Sequence, residues 1–190
     1  MAFNHEKYMC SIFGEKRSLL KDVEAFNRDP EVEEAIRQSI LAAEEELGYP
    51  CGEIGTIIAE GGRDNEIAVF LKENAKEMSE FYIENALEYR KENNISDEDF
   101  MDPDSSLENW ADEEEGAPEA ILDMSEELGF MYYQTGKLLS RGGTAEMLAE
   151  YIATAEDLPR YYSSIFLRKV RHPSIAKPLS EVWKKWISKD

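Results

Sequence analysis

The side chains able to do chemistry in this chain of 190 residues are its 41 carboxylates, two histidines and two cysteines. His5 and His172 stand far apart, and neither has a second histidine at metal-ligating spacing. Carboxylate-bridged metal centres in helical bundles need Glu-x-x-His pairs, and the sequence has none. His5 and Cys10 lie five positions apart with no partner pair to complete a zinc site. Cys10 and Cys51 are too few for a disulfide framework, so they read as buried or incidental thiols, with a redox pair as the alternative. A Gly-x-Ser-x-Gly nucleophile turn is missing. Gly52, Gly55, Gly61 and Gly62 lack the Lys-Ser/Thr ending of a phosphate loop and the strand that precedes a dinucleotide fingerprint. General acid–base catalysis needs a perturbed carboxylate pair in a cleft, and spacing alone supplies none. The expectation is a protein with no catalytic residue, no metal and no cofactor.

The carboxylates are better suited to binding. Net charge is -20, and residues 29–159 hold 35 acidic against 8 basic side chains, whereas residues 160–190 hold 2 acidic against 8 basic. Such a body repels phosphate, which argues against direct contact with nucleic acid or anionic membrane, and it attracts a basic partner. The basic C-terminal stretch can also pair with the acidic body. Tyr132, Tyr133, Tyr151, Tyr161 and Tyr162 have helical spacing and no Lys/Arg groove beside them, so core packing explains them better than base stacking. No run reaches 18 apolar residues, and MAFNHEKYMC lacks the basic start and apolar stretch of a signal peptide. A cytoplasmic protein without membrane insertion is expected.

The elements that must position these side chains read as helices throughout, which predicts an all-α, single-domain helical bundle over residues 1–190. Tyr8, Met9, Ile12, Phe13, Leu19, Leu20, Val23 and Phe26 form an apolar face interrupted at Gly14. Asp29-Pro30 starts a helix with a stripe of Val32, Ala35, Ile36, Ile40, Ala43 and Leu47 that stops at Gly48. The glycines of 49–62 read as turns around a short buried helix anchored by Ile54, Ile57 and Ile58. The longest helix runs from Asp64 or Asn65 to about Asn93, with Glu73, Glu77, Glu80, Glu84 and Glu88 crowding its surface. Residues 94–117 read as an acidic loop in which Ser96 and Asp99 cap one brief turn and Phe100, Leu107 and Trp110 dock back. Pro118 opens a helix whose inward face runs through Ile121, Met124, Leu128, Met131, Tyr132, Thr135, Leu138 and Leu139. Thr144 caps the next, and Pro159 marks a kink or the start of another, which ends at His172-Pro173. The last begins near Pro178, with Leu179, Val182, Trp183, Trp186 and Ile187 inward and Lys184, Lys185 and Lys189 outward.

Within residues 119–190 stand Glu119-Ala120-Ile121-Leu122-Asp123, then Met124, Glu127, Leu128, Phe130 and Met131. Further on come Asp157, Leu158 and Tyr161, then His172-Pro173. This series resembles the C-terminal core of the TorD-like chaperones, whose Glu-Pro-x-Asp-His element opens a helix running on as Leu-x-x-Glu-Leu-x-Phe-Met. Ala120 replaces the family proline, and Leu122 and Asp123 stand where the family has Asp-His. The resemblance implies a cytosolic, all-helical chaperone that carries no cofactor and recognises the precursor of a molybdenum-containing redox enzyme. Recognition in that family often goes through the precursor's basic, apolar twin-arginine leader.

For such a leader, the binding positions expected here are Glu119, Asp123, Glu126, Glu127 and Tyr133, joined by Asp157 and Tyr161 from the neighbouring turn. A different class of function is an acidic decoy or adaptor for a nucleic-acid-handling protein. Its surface would be the acidic rows at 73–88 and 112–115, imitating phosphates.

Overall fold

The computed structural model describes residues 3–14, 20–111 and 116–188. Among them every regular element is helical, and none is a strand. Leu19, Lys189 and the acidic row at 112–115 lie outside the described residues.

Helix ends follow the local chemistry. α1 (His5–Phe13) is capped by the Asn4 side chain, which accepts from the Lys7 amide at 3.0 Å, and it stops at Gly14 with φ 69°. α2 (Val23–Asn27) is short. Asp29 Oδ1 accepts the Glu31 amide at 2.8 Å to open α3 (Pro30–Leu47), which ends at Gly48. α4 (Cys51–Ala59) follows, then the 29-residue α5 (Asp64–Glu92), α6 (Asp97–Phe100) and a 3-10 turn at Leu107–Asn109. The C-terminal part consists of α7 (Glu119–Leu128), α8 (Phe130–Ser140), α9 (Ala145–Thr154), α10 (Leu158–Val170) and α11 (Pro173–Ile187).

The chain forms two compact units, Met1–Phe70 with Glu156–Asp190 and Leu71–Ala155, with the boundary falling inside α5. In the first, α3 packs against α4, α10 and α11. Tyr8, Met9, Phe26, Ile36, Ile54, Phe166, Leu179 and Trp183 are buried there. The Tyr8 hydroxyl meets Ser39 Oγ at 2.8 Å, which satisfies two polar groups that burial would otherwise penalise. Trp183 stacks on Phe13 at 6.3 Å between centroids and takes the Phe26 ring edge-on at 5.7 Å.

Two sequence expectations change in this unit. Gly52 and Gly55 are not turn residues but lie inside α4. A side chain at Gly55 would put its β carbon 2.5 Å from the Phe166 ring and 3.0 Å from Ile40, so the glycine is what lets α10 approach. The last helix starts at Pro173 rather than Pro178, with His172 at its N-cap and Pro178 in its interior. The inward row Ile175, Leu179, Val182 and Trp183 keeps one face across Pro178, and its burial offsets the backbone hydrogen bond that a proline removes.

Basic residues near the C-terminus pair with the acidic body, as the charge pattern suggests: Lys185 meets Glu31, and Lys169 meets Glu46. Arg171 donates from Nε to the Ile12 carbonyl at 3.1 Å and from Nη2 to the Ser11 carbonyl at 2.7 Å. It thereby satisfies carbonyls at the end of α1, where helices leave them unpaired.

In the second unit, Leu71, Ala75, Met78, Tyr82 and Ala86 form the buried stripe of α5. The acidic segment that follows is tied down at several points. Ser96 caps α6, accepting the Asp99 amide at 3.2 Å. Phe100 and Trp110 are buried, and the Asp102 amide donates to the Ser140 carbonyl at 2.9 Å. Leu107 does not dock as expected but stays exposed, because it sits in the 3-10 turn facing outward. Thr144 holds the N-cap position of α9 without capping a backbone amide; its hydroxyl bonds the Glu146 carboxylate instead.

Candidate functional site: the outer face of α7

Pro118 with φ -50° leads into α7, where Ile121 and Met124 are buried. The spacing predicted one helix running on through Leu139, with Leu128 inward. The structure breaks it at Gly129, whose φ of 106° and ψ of 177° are open to glycine and strained for other residues. Past that break α8 returns against α7. Gly136 permits the approach, since a β carbon there would lie 2.7 Å from both Ile121 and Met124. Leu128, freed from the core, is 39% exposed.

The result is one outward strip. Glu119, Leu122, Asp123, Glu126 and Glu127 recur at three- and four-residue spacing and are all exposed, with Leu122 at 46%. From Glu119 to Glu127 the strip spans about 12 Å at the helical rise. Four carboxylates thus stand around an uncovered leucine, and a second leucine, Leu128, closes the far end. Glu127 accepts a hydrogen bond from the Tyr89 hydroxyl of α5. Burial first, then Glu127 and Asp123, hold the Tyr89 phenol above its ordinary pKa.

Of the positions expected from sequence, the structure brings Glu119, Asp123, Glu126 and Glu127 together. Tyr133 lies on α8 and is half-buried against the cluster of Ala86, Phe100, Ile121 and Met124, with the Lys137 ammonium 5.2 Å from its ring centre. It supports the strip from beneath. Asp157 and Tyr161 belong to the first unit; Asp157 is exposed at the start of α10, and Tyr161 packs edge-on against Tyr162 at 5.5 Å. Leu122, Leu128 and Tyr89 were not among the binding positions expected from sequence, and Leu128 was expected to face inward. The helical phase puts Leu122 opposite Ile121 and Met124, a signal that the family comparison at this position obscured.

The acidic row of α5 is exposed at Glu73, Glu77, Glu80, Glu84 and Glu88. Lys72 and Lys76 share that outer surface, and Lys76 lies 3.8 Å from Glu80. The row is therefore less uniformly negative than the glutamate spacing alone suggested.

Among the described residues no three His, Cys, Asp or Glu side chains gather as a metal site. Neither cysteine forms a disulfide. Burial, then Glu44 and Glu53, push the Cys51 thiol up to about 12, which makes it a poor nucleophile at neutral pH. No helix among the described residues is long and apolar enough to cross a membrane. No family model, no curated protein and no solved structure matches this chain.

Proposed function

We propose that this protein is a chaperone of the TorD-like kind that binds the basic, apolar leader of a molybdenum-containing redox-enzyme precursor. The observation that carries this reading is the α7 strip, where exposed leucines and carboxylates alternate on one face. A leader combining arginines with an apolar run matches both halves of that chemistry. Magnitudes assign the halves different tasks. Exposed ion pairs contribute less than about 1 kcal/mol each, whereas covering a leucine contributes about 1.5–3 kcal/mol. The leucines therefore set affinity, and the carboxylates set orientation and reject acidic peptides.

Calorimetric titration with precursor leader peptides tests this at low and moderate salt. Glu119→Gln with Asp123→Asn weakens binding about tenfold at low salt, Leu122→Asn weakens it at both salts, and neither moves the melting temperature. Equal affinity in all variants, or no leader binding at all, removes the reading.

The decoy reading draws support from the α5 glutamates, exposed over about 22 Å of helix. Lys72 and Lys76 weaken it. A phosphate-mimicking surface loses nearly all affinity as salt rises, while the leucine-dependent part of leader binding persists.

A further inference from the structure

The first unit carries a cleft of about 480 Å³ bounded by α3, α4 and the start of α5. Ile40, Leu41, Ile57 and Phe70 line it, and Leu41 is 49% exposed. The volume falls in the range of about 300–1,000 Å³ typical of ligand sites, enough for several side chains of a bound segment.

Two carboxylates stand on this apolar lining, Glu44 of α3 and Glu53 of α4. Glu44 lies across Gly52, where a β carbon would fall 2.4 Å from its Oε2. The missing side chain thus makes room for the carboxylate. Neither the Glu44 nor the Glu53 carboxylate has a hydrogen-bond or ion-pair partner among the described residues. Arg37, the cation of the lining, is already engaged by Glu33 at 2.9 Å and Glu34 at 3.6 Å. The cleft therefore combines uncovered apolar surface with two carboxylates that no side chain among the described residues pairs.

We infer that this cleft takes an amphipathic cationic segment of a partner protein. Its apolar side chains lie on Ile40, Leu41 and Ile57, and its lysines or arginines meet Glu44 and Glu53. Two carboxylates disfavour an anionic lipid or nucleotide here, and a second copy of this chain brings its own net charge of -20. Apolar anchors in a groove with charges at the edge are the chemistry by which grooves recognise amphipathic helices. The cleft is in a different unit from α7, so the inference stands whether or not α7 binds a leader.

The test uses the full chain carrying Leu122→Asn together with Glu119→Gln and Asp123→Asn, so that α7 contributes little. The probe is a fluorescein-labelled amphipathic peptide of leucine and lysine, with a leucine-to-serine version and a lysine-to-glutamate version as controls, read by fluorescence polarisation. The leucine–lysine peptide binds, and both controls bind at least tenfold more weakly. Adding Glu44→Gln and Glu53→Gln weakens binding about tenfold. Thr56→Trp, at an exposed position of the lining, blocks the cleft and weakens it by more. Melting temperatures accompany each variant, and the charge-only pair serves if Thr56→Trp misfolds. Absence of binding, equal binding of the glutamate peptide, or unchanged affinity in Glu44→Gln/Glu53→Gln overturns the inference. Leader binding lost through the α7 substitutions, together with leucine–lysine peptide binding untouched by the cleft variants, would overturn it while leaving the leader reading intact.

Discussion

Arg90 holds its guanidinium carbon 4.0 Å from the centre of the Phe100 ring. The same guanidinium donates from Nη2 to Asp97 at 2.8 Å, so one side chain clamps both ends of α6 onto α5. Asp97 is mostly exposed, which leaves little stability in the ion pair itself. The ring contact and the burial of Phe100 carry the clamp.

Replacing Phe100 by Ala is therefore expected to cost about 3–5 kcal/mol, and Arg90→Ala about 1–2 kcal/mol. Denaturant titration measures both. Hydrogen exchange then shows residues 97–111 losing protection in Arg90→Ala, while the buried stripe of α5 keeps it. Uniform loss across α5 would mean that Arg90 does more than anchor α6.

Gly55→Ala places a methyl group where the Phe166 ring now lies. Overpacking of this kind costs about 1–3 kcal/mol. Combining it with Phe166→Leu recovers part of the loss, because the two substitutions share one contact. Strict additivity in denaturant midpoints would show that the contact is not the source of the strain.

His5 is 1% exposed, and its ring meets the Phe26 backbone without a well-formed hydrogen bond. Burial lowers its pKa below the ordinary 6.5, offset in part by the Phe26 backbone and the carboxylates of Glu33 and Asp29. The unfolded chain thus takes up this proton first as pH falls. The stability associated with neutral His5 is complete above about pH 6.5 and is lost as pH falls through the depressed folded value. His5→Leu makes the fall in denaturant midpoint between pH 7.5 and 5.5 shallower than in the parent. Parallel curves would assign the acid sensitivity to carboxylates alone.

Trp183 is buried and contacts the rings of Phe13 and Phe26, so Trp183→Ala is expected to cost about 3–5 kcal/mol. Removing α11 from Pro173 onward exposes Phe26 and the inward row of α3. That truncation aggregates or fails to melt cooperatively. A cooperative transition at the parental temperature would make α11 an appendage.

Local signals were legible where one residue does a local job. Asp29 before Pro30, Gly14 and Gly48 at helix ends and Ser96 three residues before Asp99 all act where their chemistry suggested. Signals that depend on a distant partner were not. Gly55 reads as a turn residue in sequence, yet it sits inside a helix because Phe166 needs the space, and the spacing that runs through Gly136 gives no sign that Ile121 and Met124 lie where its side chain would be. Gly129 works the other way: the apolar period continues through it, and only its backbone angles reveal a break. Four carboxylates of the candidate site were named from the charge surplus near Pro118 and the family resemblance, but the uncovered leucines among them follow from that break and from the outward phase of Leu122.

The first unit joins Met1–Phe70 to Glu156–Asp190, with 85 intervening residues making the other unit. On the ribosome, at about 5–20 residues per second, those 85 residues take roughly 4–17 s to emerge. Throughout that interval Tyr8, Phe26 and Ile54 lack Phe166 and Trp183, and the end of α1 lacks Arg171. The nascent chain must either hold these apolar surfaces in a provisional collapse or be shielded while it waits. Moving the Glu156–Asp190 segment ahead of residue 1 by circular permutation would shorten the wait and raise the yield of folded protein at high expression temperature.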